Sequence, residues 1–418
     1  MRKDVLIIGG GLAGATAAQT LRAEGFTGSV ALVCQENHYP YLRPPLSKGF
    51  LAGGEDEASL LPYTADDYTE HGIELLIGET VVAIDRAAAT ATLAQGGVLE
   101  YGQLLLATGA SPRSLDVPGV HLPGVHHLRT LEDSRALREA LGYPGPGQER
   151  RKVILVGSGW IGMEVAATAR SLGADVTVLG RDAVPLATAL GAELGTVFME
   201  RHKEAGVTFR TETTITEIVE RNGRAAGVIT GGGELLPADL VVVAVGVMPN
   251  TGLAEAAGLS IDNGVLTSAS LRSEDPRILA AGDVANAFHP VTGGHLRSEH
   301  WANAINSGKV AARTIMGRAA QLDDIPYFYT DQFDLGMEYS GYSSLASNAK
   351  IILRGDPASR KFIAFWLTPV SSTRGRVVAG MNVNIWDVQD DIKSLITSGN
   401  EVQTLQLADP DIPLGELQ

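Results

Sequence analysis

The sequence predicts an α/β chain built from two doubly wound domains with parallel sheets, followed by a C-terminal α+β domain. Three observations predict it: a repeated strand–glycine turn–helix unit, apolar runs that end in glycine, and a change of texture after about residue 325. The chain has 418 residues, room for about two to four domains. With 44% apolar and 19% charged residues it has globular rather than disordered composition. Glycine is the excess, 49 of 418 or about 12%, against a usual level near ~7%.

The repeat sets the order of the elements. Residues 5–14 read Val-Leu-Ile-Ile-Gly-Gly-Gly-Leu-Ala-Gly and residues 153–162 read Val-Ile-Leu-Val-Gly-Ser-Gly-Trp-Ile-Gly. At an offset of 148 the motif glycines coincide, as do Val5 with Val153, Ala18 with Ala166, Thr20 with Thr168, Arg22 with Arg170 and Gly25 with Gly173. Each copy opens on a strand signal, continues in alanine-rich helix formers and reaches a second strand, at 30–33 and 176–179. Two such units imply two nucleotide-binding domains. Apolar runs at 101–109 and 238–246 each end in glycine, and 278–284 is a further strand signal ending in Gly-Asp. The Gly- and Pro-rich stretch 142–148 reads as a linker loop. Beyond it the aromatics Tyr327, Phe328, Tyr329 and Phe333 precede strand-like runs such as 361–367, which predicts an antiparallel sheet. The acidic stretch 387–418 is expected to form a short helix and a tail. The expected boundaries are 1–112, 113–245, 246–322 and 323–418.

Charge and cysteine usage exclude several functions. With 33 Lys and Arg against 48 Asp and Glu the formal charge is −15, which argues against a duplex nucleic-acid binder. The segment 341–380 is locally basic, with Lys350, Arg354, Arg360, Lys361, Arg374 and Arg376 against Asp356 alone. A single cysteine, Cys34, excludes an internal disulfide, a Cys-rich zinc site and a two-cysteine redox centre; no metal site is expected. The apolar run at 5–8 is too short for a signal peptide, and no stretch approaches 18 apolar residues. A soluble cytoplasmic protein with no membrane or nucleic-acid partner is therefore expected.

Gly9-x-Gly11-x-x-Gly14 between a strand and a helix is the dinucleotide fingerprint in its required context. The first glycine makes the turn, the second lets backbone approach a pyrophosphate, and the third allows helix–strand packing. Gly157, Gly159 and Gly162 repeat it. Two sites suggest two cofactors, one held and one exchanged. An acid at the end of the second strand binds a ribose 2′-hydroxyl, whereas an arginine suits a 2′-phosphate. The first unit offers Gln35 and Glu36; the second offers Gly180 and Arg181, with no acid before Asp182, which leans toward NADPH over NADH. Asp283 ends its strand either as an acceptor for a sugar hydroxyl or as a helix N-cap.

These residues together resemble the flavin-dependent pyridine-nucleotide reductases of the ferredoxin (rubredoxin) reductase type, which are related to apoptosis-inducing factor. The resemblance rests on Gly9 to Gly14, Arg43-Pro-Pro-Leu-Ser-Lys48, Ala107-Thr-Gly109, Arg129-Thr-Leu-Glu-Asp133, Gly157 to Glu164, Gly246-Val-Met-Pro-Asn250, Ala281-Gly-Asp283 and Glu299-His-Trp-Ala302. It implies Rossmann-like domains in a glutathione-reductase-like architecture. It also implies FAD on Gly9, Gly11, Ala13 and Gly14, with Gln35, where the family usually has an acid, or Glu36 at the adenosine ribose. Arg43 and Lys48 would lie along FAD, Lys48 near the reactive edge of the isoalloxazine; Val81 would flank the adenine, and Thr108 and Arg129 would contact the cofactor. Asp283 would bind the ribitol and Trp301 would sit by the ring, while Gly109, Gly246, Gly282 and Glu299 complete the cofactor-binding set. Gly157, Gly159, Ile161 and Gly162 would receive the nicotinamide cofactor, with Glu164 near the nicotinamide.

Lys48 and Glu164 are the expected catalytic residues. An ammonium stabilises a reduced flavin's negative charge, and a buried lysine needs a carboxylate partner, for which Glu164 is the best candidate. Cys34 has no cationic cluster to activate it. With no thiol relay, electrons from the flavin must leave to an external acceptor, for which a one-electron iron–sulfur ferredoxin feeding a cytochrome P450 or oxygenase is the natural choice. The basic segment 341–380 is either a docking surface for a ferredoxin, which the resemblance implies is acidic, or an ordinary solvated strand-rich surface. Alternatives are a reductase of quinones or other small acceptors, or a redox-sensing interaction protein like apoptosis-inducing factor; a monomer or homodimer suits each.

Overall fold

In a computed structural model, residues 2–142 and 149–417 are described; of the expected linker, residues 143–148 lie outside them. The chain divides into two compact units. The first comprises residues 1–42, 57–111 and 248–327, the second 43–56, 112–247 and 328–418.

The first unit is organised by a seven-stranded sheet. Its parallel strands Ile73–Ile77, Val30–Cys34, Arg2–Ile8 and Val98–Leu106 lie in that order, and Ile278–Ala280 adds to the far end of Val98–Leu106. Residues alternate between two buried faces. Val5, Ile7, Leu32, Leu105 and Leu279 pack with the helices Leu12–Ala23 and Trp301–Ile315; Leu6, Ile8, Val33, Leu104 and Ile278 pack with Ile84, Ala254 and Val265. Burial on both faces is why these strands read as continuous apolar runs.

The second unit contains a five-stranded parallel sheet in the order Thr208–Arg210, Asp175–Leu179, Lys152–Val156, Leu240–Val243, Val125–His126. One face packs on the helices Leu131–Leu141 and Trp160–Ser171, the other on a three-stranded antiparallel sheet of Ile215–Arg221, Arg224–Thr230 and Leu235–Pro237. Residues 43–56, assigned from sequence to the first dinucleotide domain, belong to this unit. Leu51 shares a core with Leu137 and Val165, and the hydroxyls of Ser134 and Thr168 donate to the carbonyls of Leu46 and Ser47, both at 2.8 Å.

The C-terminal part of this unit is the expected antiparallel sheet, six strands including Tyr327–Gln332, Leu335–Gly341, Lys350–Asp356, Lys361–Pro369 and Arg374–Val383. It is not a separate core: Phe362, Ala364 and Trp366 on one face join Met163, Leu194 and Phe198. The stretch expected to be a helix and tail contains more structure. Helix Gln389–Ser398 is followed by a strand, Glu401–Gln403, paired antiparallel with Arg374–Val383, and by a second helix, Thr404–Ala408.

Candidate functional site

Both glycine turns separate what the fold demands from what it leaves open. Gly9 has φ +122° and Gly157 +115°, and a Cβ at either would stand 2.0 or 2.2 Å from the carbonyl oxygen of Ala107 or Ala244. At Gly14 and Gly162 a Cβ would lie 2.2 Å from the carbonyl of Gly9 or Gly157. Sterics therefore explain the first and third glycines. Gly11 and Gly159 are different: φ is −81° and −82°, and a Cβ would meet nothing within 4 Å. The fold requires no glycine there. Each is the N-cap of a helix with no side-chain cap hydrogen bond, so no capping side chain satisfies the first-turn N–H groups. That is the cradle a dinucleotide pyrophosphate fits.

In the first unit, Ala13 is buried behind the turn, and Val81 is buried at the start of the strand Val81–Asp85. At the end of Val30–Cys34, Gln35 is exposed, whereas Glu36 accepts a hydrogen bond from the Tyr41 hydroxyl. Glu79, absent from the expected set, stands beside them: its N–H donates to the Cys34 carbonyl at 3.0 Å, and its buried Oε2 has no hydrogen-bond partner among the described residues. A lone glutamate in a turn carries no linear signal. Thr108 Oγ1 donates to the Asn250 carbonyl and Asn250 Nδ2 to the Thr108 carbonyl, both at 2.8 Å, while Asn250 N–H donates to Gly109 O at 2.9 Å. Asp283 is 9% exposed in the turn Gly282–Val284. Ala281 holds the cap position, so the N-cap reading of Asp283 does not apply. Gly282 N–H donates to Ser307 Oγ at 2.9 Å. Glu299 pairs with Arg297 at 2.6 Å, and Trp301 is 39% exposed at the start of its helix. Burial pulls the His300 imidazole down to about 4, with Asp283 opposing, so it is neutral at pH 7.

In the second unit, the helix after the glycine turn carries Glu164 into a buried polar centre. Lys48 Nζ lies 2.8 Å from Glu164 Oε1, supplying the expected ion pair, with side-chain exposures of 16% and 4%. Thr330 Oγ1 donates to Oε1 at 2.6 Å and Ser47 Oγ donates to Oε2. Gln332 Nε2 donates to Thr330 Oγ1 at 3.2 Å, which leaves the threonine proton for Glu164. Lys48 also lies over the Tyr329 ring, 5.5 Å from its centroid. A buried charge pair is tenable only when its spare lone pairs are satisfied, and three donors on one carboxylate do that. Burial raises the Asp331 carboxyl, with Lys48 opposing. Arg43 Nη1 donates to the Arg129 carbonyl. Ile161 and Arg181 are exposed, and Gly246 O accepts from Arg113 N–H at 2.8 Å. Sequence reasoning missed Ser47, Thr330 and Gln332. Ser47 was legible inside the hexapeptide; Thr330 and Gln332 were not, because only strand pleating brings them inward.

Two further expectations concern charge and sulfur. Cys34 is buried, and burial, with Glu36 adding, pushes its thiol up to about 12. The basic segment 341–380 does not form one basic face. Arg354 is buried, Arg360 is paired with Glu204 and Asp334, and Arg376 is paired with Glu401. Lys350, Lys361 and Arg374 are exposed.

Residues 3–308 match the pyridine nucleotide-disulphide oxidoreductase family model, and residues 327–418 match the reductase C-terminal model. Rhodocoxin reductase of Rhodococcus erythropolis is 38% identical over 362 residues, 87% of this chain and 83% of that one. A ferredoxin–NAD(P)+ reductase of a Sphingomonas species is 35% identical over 414 residues, 98% and 96% of the two chains. The crystal structure of the covalent putidaredoxin reductase–putidaredoxin complex is similar with a TM-score of 0.92 and 33% identity, covering 99% of this chain and 98% of that one. With two glycine cradles, the buried lysine–glutamate centre and both family models in register along one chain, the protein belongs to the pyridine nucleotide-disulphide oxidoreductase family, as an oxidoreductase of FAD and NAD(P)H carrying the reductase C-terminal domain.

Proposed function

We propose that this protein is an NADPH-dependent ferredoxin reductase that supplies electrons to a cytochrome P450 or oxygenase. The observation that carries the reading is the Lys48–Glu164 centre in a chain whose one thiol is buried and unreactive. FAD, when bound, accepts a hydride and releases electrons singly. The chain's own residues do the rest. The open backbone at Gly11 holds one pyrophosphate and that at Gly159 the other. Lys48 supplies positive charge where reduction develops negative charge, and Glu164, held by Ser47 and Thr330, balances it and orients the nicotinamide. Cys34 takes no part, because a thiol held so high is not a thiolate at neutral pH. Relatives named for rhodocoxin, ferredoxin and putidaredoxin support an iron–sulfur acceptor.

Arg181, after a strand that is followed by glycine rather than an acid, supports NADPH. The same reading makes the protein cytoplasmic, working as a monomer or homodimer. The test is steady-state reduction of ferredoxins and of quinones by the purified yellow protein with each nicotinamide cofactor. A ferredoxin should exceed quinones in kcat/KM; colourless protein, or quinones as the better acceptors, would refute the reading.

A further inference from the structure

The two cradles solve one packing problem in opposite ways. In the first, the residue after the leading glycine is Gly10 and the strand ends in Cys34; a Cβ on Gly10 would lie 2.5 Å from Cys34 Sγ and 2.7 Å from its Cβ. In the second, the corresponding residues are Ser158 and Gly180, and a Cβ on Gly180 would lie 2.5 Å from Ser158 Oγ and 3.0 Å from its Cβ. Turn and strand end touch in both units, and only one of the two positions carries a side chain. The occupied position is the strand end in the first unit and the turn in the second.

The strand-end region decides which adenosine ribose is accepted, because a carboxylate there binds the free 2′-hydroxyl and repels a 2′-phosphate. We propose that Ser158 is the specificity-determining residue of the second cradle: it holds the volume that a side chain at position 180 needs, keeps an acid off the strand end, and presents a hydroxyl donor beside Arg181. The resulting ligand is a nucleotide with a 2′-phosphate, bound by a hydroxyl and a guanidinium instead of a carboxylate. Ser158 is already anchored for this, since its carbonyl accepts the Leu186 N–H at 3.1 Å. The Gly180 carbonyl likewise accepts from Thr213 N–H at 2.8 Å, and turning the Ser158 hydroxyl away would still leave the two Cβ atoms 3.0 Å apart, closer than ordinary contact. The nearest acid, Asp182, lies beyond Arg181 and is exposed. This inference rests on the NADPH reading but is tested separately from it.

The probes are 2′,5′-ADP and 5′-AMP, which differ only in the 2′-phosphate, titrated calorimetrically into the flavin-loaded protein. Wild type should bind 2′,5′-ADP about tenfold or more tightly than 5′-AMP; the reverse order would refute the NADPH reading. The proposal itself is decided by the coupling between Ser158→Gly and Gly180→Glu. Gly180→Glu alone should lose 2′,5′-ADP binding and gain little for 5′-AMP. Adding Ser158→Gly should then improve 5′-AMP binding about tenfold beyond what Ser158→Gly does alone. Additive effects of the two substitutions would overturn the proposal, whichever nucleotide the wild type prefers. Should Gly180→Glu fail to fold, Gly180→Ala with and without Ser158→Gly tests the same contact. Loss of 5′-AMP affinity restored by Ser158→Gly supports the proposal, and no restoration overturns it.

Discussion

At Glu164 three donors converge on a carboxylate whose side chain is only 4% exposed, which makes the site intolerant of half-measures. Lys48→Met should destabilise the protein by about 3 kcal/mol, the low end for breaking a buried pair, since Lys48 keeps some solvent. It should also slow reduction of the bound flavin by NADPH about tenfold or more. Denaturant unfolding and stopped-flow bleaching measure the two; unchanged values for both would contradict the assigned role. Arg181→Ala should raise KM for NADPH about tenfold while leaving KM for NADH within about twofold, and equal effects on both would refute the NADPH assignment. His202 offers a pH test. It is fully buried, Nδ1 lies 2.9 Å from the Phe198 carbonyl and Nε2 3.1 Å from the Met163 carbonyl, and burial holds it below its ordinary range. The unfolded chain takes up this proton more readily than the folded one, so the stability is present above about pH 6.5 and is lost as pH falls through the lower folded value. His202→Gln should therefore lose less Tm between pH 8 and pH 5 than wild type does. An equal or larger loss would contradict the neutral buried imidazole.

The elements that were legible in the sequence are those whose own residues carry the signal. Strands buried on both faces announce themselves, as residues 5–8, 153–156 and 240–243 do, because every side chain there is apolar. Glu401–Gln403 could not be read, since three residues form a strand only when a partner, here Arg374–Arg376, supplies the ladder. The hexapeptide ending in Lys48 was recognisable as chemistry, yet its assignment to the second unit depends on Leu51 packing with Leu137 and on the Ser134 hydroxyl reaching the Leu46 carbonyl. The basic segment misled for a related reason: composition counts Arg354, whereas the structure spends its guanidinium on the carbonyls of Leu407, Pro410 and Ile412. That anchor yields a test. Arg354→Met removes donors from three tail carbonyls and should cost about 3 kcal/mol, releasing the helix Thr404–Ala408 to limited proteolysis. Uncleaved tail in the variant would show that the anchor is dispensable.

Taken whole, the chain carries two copies of one cradle, and their glycines allow fold and ligand to be separated. Gly11→Ala and Gly159→Ala each place a methyl in space that no protein atom fills. Each should leave Tm within a few degrees, as compatible Gly→Ala changes do. Gly11→Ala should abolish flavin retention, read as lost absorbance near the visible flavin band, and Gly159→Ala should abolish 2′,5′-ADP binding while the protein stays yellow. Loss of both ligands in either variant would contradict two independent sites. The −15 charge mattered little at this scale, while the lone cysteine mattered much: buried at the end of Val30–Cys34, it leaves the first unit without a reactive sulfur. The interleaved order of the units has a consequence in time. Leu104, Leu105 and Leu106 present an edge that pairs with Ile278, Leu279 and Ala280, about 170 residues later in the chain. On a ribosome adding about 5–20 residues per second, that edge waits roughly ten to thirty seconds for its partner. Meanwhile residues 152–243 of the second unit can emerge and pair among themselves. Synthesis thus leaves an apolar strand edge unpaired over that interval, and slow translation or scarce chaperones should lower the yield of folded protein through its seven-stranded sheet.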